Sequence, residues 1–160
     1  MKILVFSDSH GSRTNMLSAM EKHYPNIDLI IHLGDGAKEF SYLSDSYPEL
    51  KFFGVRGNCD INSPKELMTT NILELDNCRI LCTHGHEYNV KYSLDNLFRC
   101  AVDKKCDVAL FGHTHRAYRQ YFSDEKLYLF NPGSISLGSP KSYGIMEITD
   151  NGIFVNHATI

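Results

Sequence analysis

Five short apolar runs, each ending in an aspartate, asparagine or histidine, constrain this chain more than any other feature. Ile3–Phe6 leads into Asp8-Ser9-His10, and Ile27–Leu33 into Gly34-Asp35. Leu50–Val55 leads into Gly57-Asn58, Arg79–Cys82 into Thr83-His84-Gly85-His86, and Asp107–Phe111 into Gly112-His113-Thr114-His115. A continuous apolar run of this length reads as a strand buried on both faces. Taken singly, each terminal residue says little, because a lone strand histidine is more often a hydrogen-bonded core residue than a ligand. Five repeats of the pattern are harder to assign to packing. In open α/β sheets the carboxyl edge of the strands is where ligands bind.

Between the runs the pattern changes period. Ser12 stands at an N-cap position before Met16, Leu17 and Met20, which share one helical face up to about Tyr24, and Pro25-Asn26 ends that segment. Phe40 and Leu43 mark a short amphipathic helix before Pro48. The opening is therefore β-α-β-α-β, which calls for a parallel, right-handed sheet. Met68–Leu75 and Arg79–Cys82 read as a hairpin around Asp76-Asn77-Cys78. Leu94, Leu97, Phe98 and Ala101 mark a further helix, ending near Lys104-Lys105. Strands are expected over residues 118–122, 126–130, 143–148 and 153–158, with turns at Ser123-Asp124-Glu125, Asn131-Pro132-Gly133-Ser134 and Asp150-Asn151-Gly152. A wound half and a hairpin-rich half imply an α/β fold of four layers, α/β/β/α: two packed mixed sheets with helices outside, in one domain over residues 1–160.

Composition narrows the function classes. The formal net charge is −3, and no run of Lys or Arg exceeds two residues. An extended nucleic-acid partner therefore lacks its basic footprint. The five cysteines, Cys59, Cys78, Cys82, Cys100 and Cys106, include no Cys-x-x-Cys pair. That argues against a disulfide framework and against a thiolate zinc site, and all but Cys59 sit in apolar-patterned segments as small core residues. The first apolar run is too short for a signal or membrane segment, so a soluble, cytoplasmic protein is expected, with no membrane partner.

Asp8, His10, Asp35, Asn58, His84, His113 and His115 form the candidate ligand set. In Asp8-Ser9-His10 and His113-Thr114-His115 the intervening residue puts two side chains on one side. Oxygen and imidazole donors without thiolate suit Mn, Fe, Zn or Ni better than Ca or Mg. Seven donors exceed the need of one ion with an open position, and they suit two divalent ions about 3.5–4 Å apart that share a carboxylate. Asp35 is the natural bridge, because Gly34 permits close backbone approach.

The ordered set Asp8-Ser9-His10, Gly34-Asp35, Gly57-Asn58, Thr83-His84-Gly85 and Gly112-His113-Thr114-His115 resembles the signature of the calcineurin-like metallophosphoesterases. Gly57-Asn58-Cys59-Asp60, Thr83-His84-Gly85-His86, Asn131-Pro132-Gly133-Ser134 and the compact length are similar to its small stand-alone YfcE-type phosphodiesterase branch. The resemblance spans Met1 to about Ser139. It implies that Asp8, His10, Asp35 and His115 hold one ion and Asp35, Asn58, His84 and His113 the other, with Mn ahead of Fe, Zn or Ni. It further implies a small phosphodiester substrate attacked by a hydroxide held between the ions, with Asn58, Asp35 and His84 in catalytic roles. Self-association as a dimer or tetramer is left open.

Most members of the family carry a histidine after the Gly-Asn pair, where this chain has Cys59. An ordinary thiol is a poorer general acid than imidazolium at neutral pH. The expected preference is therefore for diesters with good leaving groups over phosphomonoesters. Cys59, Arg56 and His86 are the candidate substrate-binding residues. His86 has the alternative of a backbone cap and Arg56 that of a surface cation; His32 reads as a hydrogen-bonded core residue. Two rival functions stand beside the enzyme: a non-catalytic protein-binding scaffold on the same fold, and a nucleotide-specific phosphodiesterase or nuclease.

Overall fold

Alternating side chains along each strand divide the apolar residues into three separate cores. In the computed structural model, which describes residues 1–63, 66–75 and 78–160, β1 (Lys2–Phe6) sends Ile3 and Val5 to one face and Leu4 and Phe6 to the other. In β2 (Leu29–His32), Leu29 and Ile31 join the first set and Ile30 the second. This is the period-two consequence of the pleat. The first set meets Ile80 and Cys82 of β5 (Cys78–Thr83) and Val108 and Leu110 of β6 (Val108–Leu110), forming a central core between two sheets. The second set packs under α1 (Arg13–His23) and α2 (Ala37–Ser46) through Met16, Met20 and Leu43. Leu81 and Ala109 face α3 (Asp95–Asp103) through Leu97 and Ala101. The result is the expected α/β/β/α sandwich.

The remaining strands are β3 (Lys51–Gly54), β4 (Thr70–Leu75), β7 (Ala117–Phe122), β8 (Leu127–Pro132), β9 (Ser142–Thr149) and β10 (Gly152–Thr159). One sheet runs β10-β9-β1-β2-β3 and the other β4-β5-β6-β8-β7. β1, β2 and β3 are parallel, as the opening β-α-β-α-β pattern requires, and β9 closes antiparallel on β1. The second sheet is less hairpin-like than its sequence implies. Its centre, β5-β6-β8, is parallel, with hairpin partners β4 and β7 at the edges. That difference decides function, because both sheets then point strand carboxyl ends to one side. The expected turn at Asp76 and Asn77 lies outside the described residues.

Ser12 occupies the N-cap of α1 without a side-chain capping bond. His32 is a core residue: its ring contacts Ser9 Oγ at 3.1 Å and accepts the Gly34 N–H at Nδ1, 3.2 Å away. His23 pairs with Tyr143 Oη, and His157 donates to Asn131 O while stacking on Phe130. Among the described residues, no helix is long and apolar enough to cross a membrane.

Candidate metal centre

The loops after β1, β2, β5 and β6 bring Asp8, Asp35, His84 and the pair His113 and His115 to one edge, joined by His10. The backbone there is strained. Asp8, His10, Asp35, His113 and His115 all have positive φ, five of the eight non-glycine residues that do so among the described ones. Left-handed residues other than glycine concentrate where surrounding structure holds them for function. Two loops also touch through their backbones: a Cβ on Gly34 would fall 2.5 Å from Gly57 N, and one on Gly57 2.1 Å from Asp35 Oδ1. Glycine at both places lets the Asp35 and Asn58 loops meet.

Asp8 has no exposed surface. Its Oδ2 accepts from Ser7 Oγ at 2.6 Å and from the His113 N–H at 3.1 Å. Its Oδ1 is buried without a hydrogen bond, although His115 Nε2 lies 3.2 Å away and the Nε2 atoms of His10 and His84 both 3.9 Å away. A fully buried carboxylate oxygen left like this is costly unless a cation completes it. Asp35 faces the same space. Its Oδ2 lies 3.4 Å from His84 Nε2 and 3.8 Å from His10 Nε2, while Oδ1 accepts the Cys59 N–H at 2.8 Å.

The imidazoles are oriented as ligands. His84 Nδ1 donates to Leu33 O at 2.7 Å, which fixes the tautomer and leaves Nε2 as a lone pair toward the carboxylates. Ring nitrogens face one another, His84 Nε2 and His113 Nδ1 at 3.2 Å and His10 Nε2 and His115 Nε2 at 3.5 Å. Three donor groups result, each with its atoms within 4.8 Å: Asp8, His10 and His115; Asp8, Asp35 and His84; His10, Asp35 and Cys59. Two of these sets meet at Asp8 and two at Asp35. The residues present therefore fit a divalent cation held by carboxylates and imidazoles.

Charges agree with that geometry. Burial opposes ionisation of Asp35, but the His84 ring and the Cys59 backbone outweigh it and hold the carboxyl far below the usual range. Asp8 is likewise lowered against its burial, by His115, His84 and Ser7. His84 is raised despite burial, because both carboxylates favour its charged form. Burial, His84 and Lys91 lower His113 to about 4, so its ring is neutral at physiological pH.

The other candidates fall around this cluster. Asn58 is exposed, and its amide donates to Cys59 Sγ at 3.3 Å. Cys59 reaches the cluster, and burial together with Asp35 pushes its thiol up to about 11. The His86 ring lies 5.4 Å from that of His84 and 6.1 Å from that of His113. Its Nδ1 is buried without a hydrogen-bond partner. Arg56 is exposed and outside the cluster, near enough to His86 to lower its pKa behind burial and His84. A cleft of about 350 Å³ lined by His10, Asp35, Cys59 and Asp60 opens on this flank.

Sequence reasoning missed two supports. Asp60 Oδ2 accepts the N–H groups of Asp35 at 2.7 Å and Gly57 at 2.9 Å; Oδ1 accepts those of Gly36 and Ala37, both at 2.9 Å. Hydrogen bonds to a charged group contribute about 1.5–3 kcal/mol each. Four of them outweigh the roughly 1–3 kcal/mol cost of a left-handed Asp35. The only sequence signal was an acidic residue directly after Gly57-Asn58-Cys59. Asn131-Pro132-Gly133-Ser134, read from the sequence as a turn, also braces the loops that carry Asp8 and His113. Asn131 Nδ2 donates to Gly112 O and Thr114 Oγ1, and Ser134 Oγ donates to Asp8 O at 2.8 Å.

The chain is similar to known proteins over nearly its whole length. The model of the calcineurin-like phosphoesterase superfamily domain matches residues 1–151. The probable metallophosphoesterase YsnB of Bacillus subtilis is 32% identical, covering 97% of this chain and 89% of its own. A phosphodiesterase of Methanocaldococcus jannaschii is 27% identical over 83% of each chain. The structure of a predicted phosphoesterase from Streptococcus pneumoniae superposes with a TM-score of 0.81 at 27% identity, covering 99% of this chain and 88% of that one. Vacuolar Protein Sorting 29 from Cryptosporidium parvum shares the fold, with a TM-score of 0.74 at 14% identity over 99% of this chain and 97% of its own.

Proposed function

We propose, from the premise that this chain belongs to the calcineurin-like phosphoesterase superfamily, that it is a dinuclear metal-dependent phosphodiesterase acting on a small phosphodiester. One observation carries the reading: Asp8 Oδ1, wholly buried and without a hydrogen bond, has three imidazole nitrogens within 3.9 Å of it. Asp8, His10, Asp35 and His115 would hold one ion and Asp35, Asn58, His84 and His113 the other, with manganese ahead of iron, zinc or nickel. Bound there, two divalent ions supply Lewis acidity toward a phosphoryl oxygen and a nucleophile at neutral pH.

The chain's own residues do the rest. Leu33 O orients His84, Asp60 fixes the backbone that carries Asp35, and Ser7 and the His113 N–H fix Asp8. Rigid placement of this kind is what a two-metal site asks of its protein. Cys59 leans toward the same space with a thiol that stays protonated at neutral pH and is reluctant to release its proton. A leaving oxygen that needs a strong acid finds none there, which favours diesters with good leaving groups. A protein-binding scaffold has no use for oriented imidazoles around a buried carboxylate oxygen that lacks a hydrogen bond, which favours the enzyme over that rival.

The test is a substrate panel on protein stripped with chelator and reloaded with Mn²⁺. Bis(4-nitrophenyl) phosphate is expected to be hydrolysed only after reloading, with kcat/KM well above that for alkyl monophosphates. Turnover that survives chelation, or monoesters cleaved as well as the diester, contradicts the proposal.

A further inference from the structure

Beside the centre lies a second cleft, of about 560 Å³ and without Cys59 in its lining, that the metal chemistry leaves without a role. It falls within the range of volumes of small-molecule sites. Val90, Leu94, Phe111 and Tyr118 form its apolar wall, and Lys91 and Arg116 stand at it as cations. The cleft adjoins the centre through shared residues. Thr114, also in its lining, sits between His113 and His115, and Arg116 follows directly. Val90 packs against Gly85, next to His84, where an added Cβ would meet Val90 Cγ2 at 2.8 Å. The charge of Lys91 reaches both His113 and His115.

Neither Lys91 nor Arg116 has an ion pair or side-chain hydrogen bond among the described residues, although the chain carries more acidic than basic groups. The segment that presents Arg116 is held in place: Thr114 Oγ1 accepts the Arg116 N–H at 3.3 Å and an N–H of Asn131 at 3.1 Å. Two cations beside an aromatic and aliphatic wall, with Arg116 directly after the candidate ligand His115, make a surface complementary to a group that is apolar in body and negative at its end.

We propose that this cleft receives one ester arm of the substrate, and that the arm is an aromatic or apolar body carrying a second negative charge. The inference rests on the phosphodiesterase reading and deepens it by naming the substrate class. With the phosphoryl group on the metals, the arm lies along Leu94 and Tyr118 while Lys91 and Arg116 meet its anion. Exposed charge pairs contribute little singly, so the pair together is expected to change affinity about tenfold.

Equilibrium binding of three anions to the Mn²⁺-loaded protein tests this: inorganic phosphate, phenyl phosphate and 4-carboxyphenyl phosphate. Affinity is expected to rise in that order, with the carboxylate contributing about tenfold. Lys91→Ala/Arg116→Ala changes two exposed side chains, so the fold is preserved. It should bring 4-carboxyphenyl phosphate down to the level of phenyl phosphate and leave inorganic phosphate unchanged. Equal affinity for the three anions overturns the proposal, as does an equal loss for all three in the double variant. The ranking is read at equilibrium, so it stands apart from whether bis(4-nitrophenyl) phosphate is turned over, the result on which the phosphodiesterase reading depends.

Discussion

Asp35→Asn is expected to reduce kcat/KM on an aryl phosphodiester by about 10³-fold or more while leaving the protein folded, because metal ions contribute several kcal/mol to stabilising such a transition state. The amide can keep the structural half of the aspartate's work, since its oxygen still accepts the Cys59 N–H that Asp35 Oδ1 accepts at 2.8 Å. Its NH₂ then takes the place of Oδ2, which faces His84 Nε2 at 3.4 Å and His10 Nε2 at 3.8 Å. A donor there cannot bind a cation, and both proposed sites lose a ligand together. The circular dichroism spectrum should match that of the wild type, and metal content after dialysis should fall well below it. An Asp35→Asn protein that keeps its metal and most of its activity removes Asp35 from the bridging role.

Cys59→His is expected to accelerate poor leaving groups far more than good ones. A well-placed general acid contributes about 10²–10⁴-fold, and a pocket shaped around a thiol should recover only part of that. The position suits the exchange. Cys59 is exposed, its Sγ belongs to one donor group with His10 and Asp35, and its backbone N–H to Asp35 is kept by any residue. The native thiol, pushed up to about 11, is a weak acid at neutral pH. Rates for a series of esters of rising leaving-group pKa should therefore show a shallower dependence in Cys59→His than in the wild type. Cys59→Ala is the control and should be nearly silent on aryl diesters. An inactive alanine variant with intact metal content makes Cys59 a direct participant. An equal gain from histidine on every substrate makes phosphoryl positioning the better account.

The parts of this molecule that were legible in its sequence are those written locally. An apolar run that stops at an aspartate or histidine behind a small residue announces both a strand and the residue at its end, so Asp8, Asp35, His84 and His113 could be read in order along the chain. The four layers followed from the switch between period-two runs and helical spacing. What stayed hidden depends on distant partners. Asp60 clamps the Asp35–Ala37 backbone from 23 to 25 positions away, and no local pattern distinguishes such an aspartate from a solvated one. The parallel centre of the second sheet was masked because β8 returns beside β6 after the β7 hairpin. Asn131 and Ser134 read as a turn, since nothing near them reveals that Ser134 ends against Asp8 and Asn131 against Gly112. Lys91 and Arg116 are unremarkable in the chain and acquire meaning only where the loops after β5 and β6 meet.

The central claim is that the Asp8, Asp35 and histidine cluster holds two metal ions, and counting them tests it most directly. Native mass spectrometry of the chain, stripped with chelator and titrated with Mn²⁺, should show two successive additions per chain, with activity on bis(4-nitrophenyl) phosphate returning in step with them. In Asp35→Asn both additions should weaken together. Saturation at one ion per chain with full activity would contradict the account.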